Sequence, residues 1–325
     1  MQDEALMAQA LGLAASVRGS SSPNPWVGAV VVTDDGRRFE GATEPPGGAH
    51  AEVVALRAAG PAAAGATLVV TLEPCCHHGR TPPCTEAILA AGIRRVVVGV
   101  TDPDARVDGG GIRVLREAGI EVVVGVGADR VADQLAPYRK HRRTGRPYVT
   151  LKMASTLDGR TAAADGSSRW ITGDAARADV HRLRAQSDAV LVGAGTVRAD
   201  DPELTVRLAD GRSPRRVVLG PIPAGAKVMP ATSVGGDLGG VLDTLGGEGV
   251  VSLLVEGGAR VAHAFHAAGL VDRYVFYLAP ALMGGSDGPA VFEGPGAASM
   301  GQLWRGRLVS VEAVGDDLRV EMAGD

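Results

Sequence analysis

The chain has 325 residues, of which 45% are hydrophobic and 22% are charged. This composition is typical of an ordinary globular protein and excludes a disordered or fibrous chain. A single hydrophobic core seldom grows past roughly 250–300 residues, so the length predicts two domains. The formal net charge of −4 excludes a general electrostatic attraction to nucleic acid or to an anionic membrane, and we expect no partner of either kind.

The three cysteines of the chain lie close together, between Cys75 and Cys84. An odd, tightly spaced set suits a metal site better than a disulfide framework. The acidic start of the chain lacks the basic and apolar regions of a signal peptide. No apolar run approaches the roughly 18 residues of a membrane-spanning helix. Together these features lead us to expect a cytoplasmic protein.

The first 145 residues alternate helical and strand patterns. Predicted helices cover residues 7–17, 50–59, 85–91, 111–118 and 129–143, and predicted strands cover 27–33, 66–72, 95–100 and 121–126. Short apolar strands separated by helices predict a sheet that is covered on both faces. The basic, turn-rich stretch from Thr144 to Pro147 follows, and we expect it to link a first domain, residues 1–145, to a second domain, residues 146–325.

The alternation resumes after this linker. Predicted strands cover residues 148–154, 189–193, 216–219, 250–255 and 273–278, and predicted helices cover 175–185, 238–245 and 259–268. Residues 308–314 and 318–322 flank a Gly-Asp-Asp turn, a pattern that predicts a β-hairpin. The second domain is therefore also expected to be α/β.

The strongest chemical signal is a His-Ala-Glu motif at residues 50–52, followed by Cys75 and Cys84. Catalytic zinc sites use three nitrogen or sulfur ligands and leave the fourth position to water. His50, Cys75 and Cys84 meet that count if the helices that begin near His50 and Cys84 lie side by side. Zinc lowers the pKa of its water toward about 7. Glu52 is placed to take the proton of this water and to pass it to a ring nitrogen and a leaving amine.

Zinc-dependent nucleobase deaminases carry a similar H-x-E…P-C-x-x-C signature, so this mechanism is recognised from the pattern. The second cysteine here follows the first by nine positions instead of three. The loop between them is polar and basic, and Arg80 is its candidate contact for an anionic substrate group such as a phosphate. The alternative is a closed structural zinc site that takes a fourth ligand from Cys76, His77 or His78.

The first half of the chain resembles the deaminase half of the bifunctional deaminase/reductase family of riboflavin biosynthesis. The likeness rests on residues 23–28, on the His-Ala-Glu motif and on the stretch of residues 73–84 that holds the long cysteine loop. It implies a cytidine-deaminase-like three-layer α/β fold with zinc on the three ligands named above. By analogy, Asn24 holds the pyrimidine and Cys76 is a bystander.

The second half resembles the reductase half of the same family, which has a dihydrofolate-reductase-like α/β fold and uses NADPH. The matching stretches are residues 151–160, 168–172, 193–202, 204–207 and 256–258. By the pattern of the family, the substrate contacts are Lys152, Ser168, Arg184, Leu204, Arg207 and Glu256. By the same pattern, the NADPH contacts are Ala154, Trp170, Thr196, Asp200 and the turn from Gly258 into Ala259 and Arg260.

Without the resemblance, these residues also allow simpler structural roles. The Glu-Gly-Gly turn at residues 256–258 can bring backbone N–H groups to a phosphate, but most glycine turns are plain loops. Arg184 and Arg207 can be solvated surface charges. Lys152 lies in an apolar strand, where its ammonium group must be paired or must reach solvent along the side chain. Trp170 can belong to the core or stack beside a nicotinamide.

Three features depart from the pattern of the family. Thr43 replaces a histidine that contacts substrate, which leaves the deaminase pocket one donor short or dependent on another group. Asp104 adds a negative charge where asparagine is usual. The segment between Leu219 and Val250 is short, and a Gly-Pro-Ile-Pro sequence replaces the turn that faces the adenosine end of the cofactor. This last departure puts the preference for NADPH over NADH in question.

The resemblance implies two consecutive reactions on one chain, which we expect to form a homo-oligomer. The first domain would hydrolytically deaminate 2,5-diamino-6-ribosylamino-4(3H)-pyrimidinone 5′-phosphate. The second domain would then reduce the ribosyl side chain to ribitylamino with NADPH. Two rival hypotheses differ from this one. A nucleic-acid deaminase predicts a basic face and the short cysteine spacing. A half-active protein, whose second domain is only an oligomeric scaffold, predicts ammonia release without oxidation of NADPH.

Overall fold

Two α/β units form from this alternating pattern in the computed structural model of the chain, which describes residues 2–79 and 81–324. The boundary between the units lies between Gly145 and Arg146. Gly145 has a φ of 72° and ends the last helix of the first unit, in a left-handed conformation that glycine adopts without a steric penalty.

The first unit is built on a five-stranded sheet. Its helices are α1 (Gln2–Ser16), α2 (Ala51–Ala59), α3 (Cys84–Ala90), α4 (Gly110–Glu117), α5 (Ala128–Gln134) and α6 (Ala136–Thr144). Its strands are β1 (Gly28–Val32), β2 (Arg38–Ala42), β3 (Thr67–Leu72), β4 (Arg95–Val100) and β5 (Glu121–Val124). The strand order is β2-β1-β3-β4-β5, with β1 antiparallel to both of its neighbours and with β3, β4 and β5 parallel.

Helices cover both faces of this sheet. Gly28 of β1 lies against the backbone of α1 at Ala10. Gly41 of β2, which pairs with Ala29 of β1, lies against the backbone of α2 at Ala51. Because successive residues of a strand point to opposite faces, α1 and α2 pack on opposite sides of the sheet. The predicted three-layer arrangement is confirmed.

The second unit is built on an eight-stranded sheet. Its helices are α7 (Asp174–Ala185), α8 (Ala194–Asp200), α9 (Leu238–Gly247) and α10 (Ala259–Ala267). Its strands are β6 (Tyr148–Thr156), β7 (Ala189–Gly193), β8 (Arg215–Leu219), β9 (Thr232–Val234), β10 (Ser252–Val255), β11 (Arg273–Ala279), β12 (Arg307–Val314) and β13 (Asp317–Ala323). The strand order is β12-β13-β11-β6-β10-β7-β8-β9, and β12 and β13 form the predicted hairpin.

The six strands from β11 to β9 in this order are parallel, so their carboxyl ends share one edge of the sheet. Strand β10 lies between β6 and β7, and Val255 pairs with Leu151 on one side and with Leu191 on the other. In open parallel α/β sheets, ligands bind at this edge, beyond the ends of the strands. The residues that follow β7 and β10 therefore lie where a ligand site is expected.

One predicted helix is wrong. Residues 129–143 form two helices, α5 and α6, which part at Leu135. Pro137 is the second residue of α6. Its ring removes a backbone N–H donor and would clash with the carbonyl group of Asp133 in a continuous helix. The break at Leu135 avoids that clash.

Three short elements have no sequence pattern that predicts them. Strand β2 has five residues with one fully buried among them, β9 has three residues, and α8 has seven residues that include Gly195. Hydrophobic periodicity needs a longer window than these elements offer. None of the helices in the described ranges is both long and apolar enough to span a bilayer.

The close packing of α1 on β1 gives a stability prediction. In Gly28→Ala, the added Cβ would overlap the carbonyl oxygen of Ala10, so we expect the free energy of unfolding of the first unit to fall by about 1–3 kcal/mol. Gly12→Ala is the control. Gly12 is an exposed residue of α1 with open space around it, and alanine is more favourable than glycine in a helix by roughly 1 kcal/mol. Urea unfolding measures both changes; equal stabilities of the two variants would contradict the packing described.

Candidate functional site

His50, Cys75 and Cys84 bring their ligand atoms together in the first unit. His50 immediately precedes α2, Cys75 follows shortly after β3, and Cys84 is the first residue of α3. Nδ1 of His50 lies 3.2 Å from Sγ of Cys84 and 3.6 Å from Sγ of Cys75. The three ligand atoms all lie within 4.8 Å of one another. Helices α2 and α3 are in contact, as the sequence-based hypothesis requires.

The chemistry of this donor set suits zinc. One nitrogen and two sulfur atoms are the ligand number and type of a catalytic zinc site. The hydrogen bond from the Cys84 thiol lowers the pKa of Cys75 to about 4, and the backbone N–H of Cys84 also donates to Sγ of Cys75, at 3.3 Å. Since a metal binds the thiolate and not the thiol, this environment prepares Cys75 as a ligand. The residues therefore fit a zinc ion.

Cys76, His77 and His78, the candidates for a fourth protein ligand, lie outside the group of three ligand atoms. Sγ of Cys76 lies 3.9 Å from the carbonyl oxygen of Arg106, and Nε2 of His78 lies 3.7 Å from the carboxylate of Glu86. The buried Nδ1 of His77 has no hydrogen-bond partner in the part of the chain that the structure describes. Within that part, the metal-ligand group has three members. The closed, four-ligand alternative therefore finds no support in this geometry.

Glu52 lies on the first turn of α2, and only 4% of the residue is exposed. Burial raises the pKa of Glu52 to about 7. A carboxyl group with such a pKa can take and release a proton near neutral pH, which is the property that an acid–base shuttle needs. Its place beside the three ligand residues agrees with the role predicted from the His-x-Glu spacing.

A cavity of about 240 Å³ opens beside these groups, with His50, Glu52 and Cys75 on its wall. Asn24, the predicted pyrimidine contact, lines the same cavity. Arg80, the predicted phosphate contact, lies outside the described residues. The cavity is therefore open both to the metal-ligand group and to the residue expected to hold the ring.

Thr43, the first departure from the family pattern, also lines the cavity. Its hydroxyl oxygen accepts a hydrogen bond from the backbone N–H of Val27 at 3.0 Å, and the hydroxyl donates to the carbonyl oxygen of Val27 at 3.4 Å. The hydroxyl therefore joins β1 to the chain that follows β2. Its hydrogen-bonding capacity toward a substrate is reduced by the same contacts.

Two carboxylates that the sequence patterns do not assign shape another wall of the cavity. Glu73 accepts hydrogen bonds from the backbone N–H groups of Asp102 at 3.1 Å, Gly109 at 3.0 Å and Ile112 at 3.1 Å. Asp102 in turn accepts a hydrogen bond from the hydroxyl of Tyr138 at 3.1 Å. The two acids therefore hold residues 102–112 against the cavity. The position of Glu73, two residues before a metal-ligand candidate, is the sequence signal that could have found it.

The unusual Asp104 is matched by two arginines. Arg106 donates to its carboxylate from Nε at 2.9 Å and from Nη2 at 2.7 Å, and Nε of Arg142 lies 3.7 Å from the same group. The hydrogen bonds from Arg106 lower the pKa of Asp104 to about 2. The Arg142 guanidinium also lies over the ring of Tyr138, 5.2 Å from its centroid. Two guanidinium groups therefore lie on the cavity wall, close to the carboxylates of Asp104 and Asp102.

Lys152, Arg184 and Glu256 form a buried charged cluster in the second unit. Because Val255 pairs with Leu151, Glu256 lies level with Lys152, just beyond the end of β10. The guanidinium of Arg184 donates to both carboxylate oxygens of Glu256, at 2.6 and 3.0 Å. Burial alone would raise the pKa of Glu256, but Arg184 together with Lys152 and His181 outweighs burial, and the pKa is lowered. Burial also lowers the pKa of Lys152.

The alternative of a solvated surface charge is wrong for Arg184, whose side chain is 12% exposed. Arg184 also donates to the carbonyl oxygen of Thr205 at 3.2 Å, so the cluster reaches the irregular segment that follows α8. In that segment Leu204 is buried, while half of the Arg207 side chain is exposed and pairs with Glu203 at 2.5 Å. Ser168 is half-buried, and within the described ranges no hydrogen bond connects it to this cluster.

The predicted cofactor turn lies at the carboxyl edge of the second sheet. Gly258 precedes α10, and its N–H donates to Oγ1 of Thr196 in α8 at 3.2 Å. This hydrogen bond joins the starts of two helices, whose free backbone N–H groups suit a phosphate. Ala259 is buried, whereas Arg260 is exposed and pairs with Glu293 at 2.8 Å. The structure therefore brings Thr196 and Gly258 together and directs Arg260 into an ion pair.

The remaining cofactor candidates lie on β6, at the end of α8 and in the loop before α7. Ala154 is partly buried in β6, and the backbone carbonyl of Asp200 accepts a hydrogen bond from Arg169. Trp170 is 69% exposed, and the guanidinium of Arg177 lies 4.5 Å from its ring centroid. The alternative of a core tryptophan is therefore wrong, and its ring is accessible to a ligand.

Both units match protein-family models. Residues 1–100 match the cytidine and deoxycytidylate deaminase zinc-binding region, and residues 147–320 match the RibD C-terminal domain. The first match includes the His-Cys-Cys group, and the second includes the buried charged cluster. These matches confirm the fold types predicted for the two units.

Relatives match this chain over almost its whole length. The riboflavin biosynthesis protein RibD of Mycobacterium tuberculosis is 46% identical over 329 residues, which cover 97% of this chain and 96% of that protein. RibD of Escherichia coli is 39% identical over 367 residues, which cover all of both chains.

Solved structures agree with these relatives. RibD of Acinetobacter baumannii superposes with a TM-score of 0.92 at 40% identity, covering 100% of this chain and 99% of that one. The diaminohydroxyphosphoribosylaminopyrimidine deaminase/5-amino-6-(5-phosphoribosylamino)uracil reductase of Thermotoga maritima superposes with a TM-score of 0.90 at 36% identity, covering 99% of each. The chain therefore belongs to the RibD family of riboflavin biosynthesis, a bifunctional family that joins a zinc-binding deaminase unit to a reductase unit of the type that uses NADPH.

Proposed function

We propose that His50, Cys75 and Cys84 hold the zinc ion and that Glu52 moves the proton in a hydrolytic deamination. The convergence of one nitrogen and two sulfur atoms within 4.8 Å carries this proposal. Zinc in such a site lowers the pKa of a water molecule toward about 7. Glu52, whose own pKa is about 7, takes a proton and delivers it toward the ring nitrogen and the leaving amino group. Water supplies the oxygen that replaces the amino group, and ammonia leaves.

We propose 2,5-diamino-6-ribosylamino-4(3H)-pyrimidinone 5′-phosphate as the compound that is deaminated. The name of the Thermotoga maritima relative, a deaminase of a phosphoribosylaminopyrimidine, supports this assignment. Asn24 on the cavity wall would hold the ring. Arg142 and Arg106 would attract the phosphate together with Arg80, because a guanidinium group makes strong, charge-assisted hydrogen bonds to phosphate oxygens.

In the second unit, we propose that Lys152, Arg184 and Glu256 bind the sugar of the deaminated product. Ser168, Leu204 and Arg207 would complete this substrate site. NADPH, when bound, would supply a hydride to C1 of the opened ribosyl group, and a proton from water would complete the addition of two hydrogens that gives ribitylamino. The buried charges hold the sugar in place and give electrostatic support to its oxygen during the transfer. The Arg184–Glu256 pair supports this role, since a buried ion pair keeps its geometry before substrate arrives.

We propose that NADPH binds along α8 and the start of α10. Its contacts would be Ala154, Trp170, Thr196, Asp200 and the turn from Gly258 through Ala259 to Arg260. The hydrogen bond between Gly258 and Thr196 supports this position, because it lies at the carboxyl edge where dinucleotides bind parallel sheets. The shortened segment after β8 forms strand β9. Because this segment replaces the turn that faces the adenosine end of the cofactor in the family, the rates of reduction with NADPH and with NADH should be compared directly.

We propose that the protein works in the cytoplasm as a homo-oligomer that binds no nucleic acid. Three free cysteines within ten positions suit a reducing compartment, and a net charge of −4 disfavours nucleic acid. Strand β12, at one edge of the second sheet, exposes Leu308 and Val311, and exposed apolar edge strands commonly pair with another chain. Sedimentation velocity tests this point, and a monomer at micromolar concentration would contradict it.

The zinc ligands are tested by a pair of cysteine variants. Cys84→Ser removes a proposed ligand, so we expect the purified protein to lose most of its zinc and its deamination activity. Cys76→Ser is the matched control, because Sγ of Cys76 contacts the carbonyl oxygen of Arg106 and lies outside the ligand group. Metal analysis by plasma mass spectrometry measures both; zinc loss in Cys76→Ser with retention in Cys84→Ser would overturn the assignment.

The phosphate contact is tested by Arg142→Met. Loss of a charge-assisted hydrogen bond of roughly 1.5–3 kcal/mol should raise the KM of the deamination about ten- to hundredfold for the phosphorylated substrate. The corresponding nucleoside without phosphate should be affected little. Arg143→Met is the control, because Arg143 is exposed on the same helix and does not line the cavity. An equal loss with both substrates would show that Arg142 acts on the fold and not on the phosphate.

Product masses test the two reactions separately. Glu52→Gln should slow deamination about 10²–10⁴-fold but still reduce a supplied aminouracil phosphate with NADPH. Glu256→Gln should lose the reduction but keep the deamination, because it removes the carboxylate that pairs with Arg184 in the reductase site. Glu248→Gln, in an exposed pair with Arg215, is the control and should retain both reactions.

Ammonia release by the native chain without the later two-hydrogen gain would favour the half-active scaffold, and tight, salt-sensitive RNA binding would favour the nucleic-acid deaminase.

A further inference from the structure

His181 is a buried histidine of α7 that has no part in the reductase site proposed above. It is 5% exposed and lies one helical turn before Arg184. Its Nδ1 accepts a hydrogen bond from the backbone N–H of Arg207 at 2.9 Å and is 3.4 Å from the backbone nitrogen of Leu208. A ring nitrogen that accepts from a backbone N–H carries no proton of its own. His181 is therefore held as the neutral tautomer with its proton on Nε2.

The backbone N–H groups of Arg207 and Leu208 thus tie the segment of residues 204–208 to α7. The hydrogen bond from Arg184 to the carbonyl oxygen of Thr205, at 3.2 Å, ties the same segment to the same helix. The segment has no helix or strand of its own, so its shape depends on such contacts. Leu204 lies in this segment with a φ of 55°, a left-handed conformation that a leucine keeps only when its surroundings hold it.

We propose that His181 is a positioning residue of the reductase, which holds Leu204 and Arg207 in their substrate-binding arrangement only while its imidazole is neutral. This inference rests on the proposed role of Arg207 as a substrate contact. An imidazolium cannot accept the N–H of Arg207, because both of its ring nitrogens are donors. Protonation therefore breaks the contact and releases one end of the segment.

The charges around His181 favour the neutral form. The groups that face it are Arg184 from its own helix, Arg207 from the segment and Glu256 from the end of β10. Burial lowers the pKa of His181 below 6.5, the two guanidinium groups lower it further, and Glu256 opposes them in part. The contact is thus complete at neutral pH and is lost as the pH falls through a pKa below 6.5. Substrate binding should weaken in the same direction.

Three variants test this proposal on the isolated reduction step, with the deaminated aminouracil phosphate and NADPH supplied. His181→Ala removes the acceptor, and we expect its KM for the aminouracil phosphate at neutral pH to rise about tenfold with little change in kcat, the effect of one lost hydrogen bond. His181→Asn keeps an acceptor in the position of Nδ1, because Oδ1 of asparagine is also bonded to Cγ, and it has no titrating group, so it should retain the native KM. Arg207→Met should raise the KM whether or not His181 matters.

The pH profile separates positioning from a merely structural role. The KM of the native protein should rise more steeply below pH 6.5 than that of His181→Asn. Because the substrate phosphate itself titrates near pH 6, the difference between the two profiles is the informative quantity. Identical profiles, or a native KM in His181→Ala, would overturn the proposal. If His181→Ala does not fold, the comparison of the native chain with His181→Asn still decides.

Failure of the underlying assignment gives a different result. If Arg207→Met leaves the KM unchanged, Arg207 is not a substrate contact and the proposed function of the segment fails. If Arg207→Met raises the KM while both His181 variants and their pH profiles match the native protein, only the positioning role fails. Proton NMR of the His181 ring gives an independent reading, and a pKa at or above 6.5 would contradict the neutral form inferred here.

Discussion

The meeting of His50, Cys75 and Cys84 is the constraint on which the deaminase unit depends. The three residues come from the start of α2, from the loop after β3 and from the start of α3. They meet because both helices pack on one sheet, and the glycine at position 41 lets α2 approach β2 closely. A metal site requires each ligand atom to lie within a few tenths of an ångström of its ideal distance from the metal. The helices and the sheet must therefore keep this packing for the chemistry to take place.

The same packing makes Glu52 useful. A carboxyl group on the first turn of a helix would normally be exposed and ionised, but here burial raises its pKa to about 7. Glu73 supports the opposite wall by accepting three backbone N–H groups, and Asp102 and Tyr138 extend that support to α6. His50 and Cys75 of the ligand group, the proton shuttle Glu52 and the Arg142 guanidinium thus line one cavity.

The reductase unit depends on a different constraint, which is that three charged side chains must be held together with little exposure to solvent. Glu256, just beyond the end of β10, lies level with Lys152 of β6, and Arg184 neutralises the carboxylate through two hydrogen bonds. Removal of one member of such a buried pair leaves an uncompensated charge, which costs about 3–5 kcal/mol. Helix α7 supplies both Arg184 and His181, so it connects the buried charges to the segment that carries Leu204 and Arg207.

Much of this organisation could be predicted from the sequence. Residue type and spacing made His50, Glu52 and the cysteine loop candidates, because zinc chemistry restricts its ligands so strongly, and the resemblance to the family selected Cys75 over Cys76. The structure brings His50, Cys75 and Cys84 together. Long apolar strands were also predictable from periodicity. Contacts between distant residues were not predictable. Examples are the pairing of Asp104 with Arg142 and the acceptance of a backbone N–H of Arg207 by His181, since no local pattern records a tertiary contact. Thr43, a departure from the family pattern, shows the same limit. The sequence shows that a donor is missing there, and only the structure shows that the Thr43 hydroxyl is bonded to the backbone of Val27.

X-ray absorption at the zinc edge tests the central claim most directly. We expect two sulfur ligands at about 2.3 Å and two nitrogen or oxygen ligands at about 2.0–2.1 Å, one from His50 and one from water. The Cys76→Ser protein should give the same spectrum as the native chain. Three sulfur ligands, or a spectrum that changes in Cys76→Ser, would contradict the ligand set of His50, Cys75 and Cys84 and the open position that deamination requires.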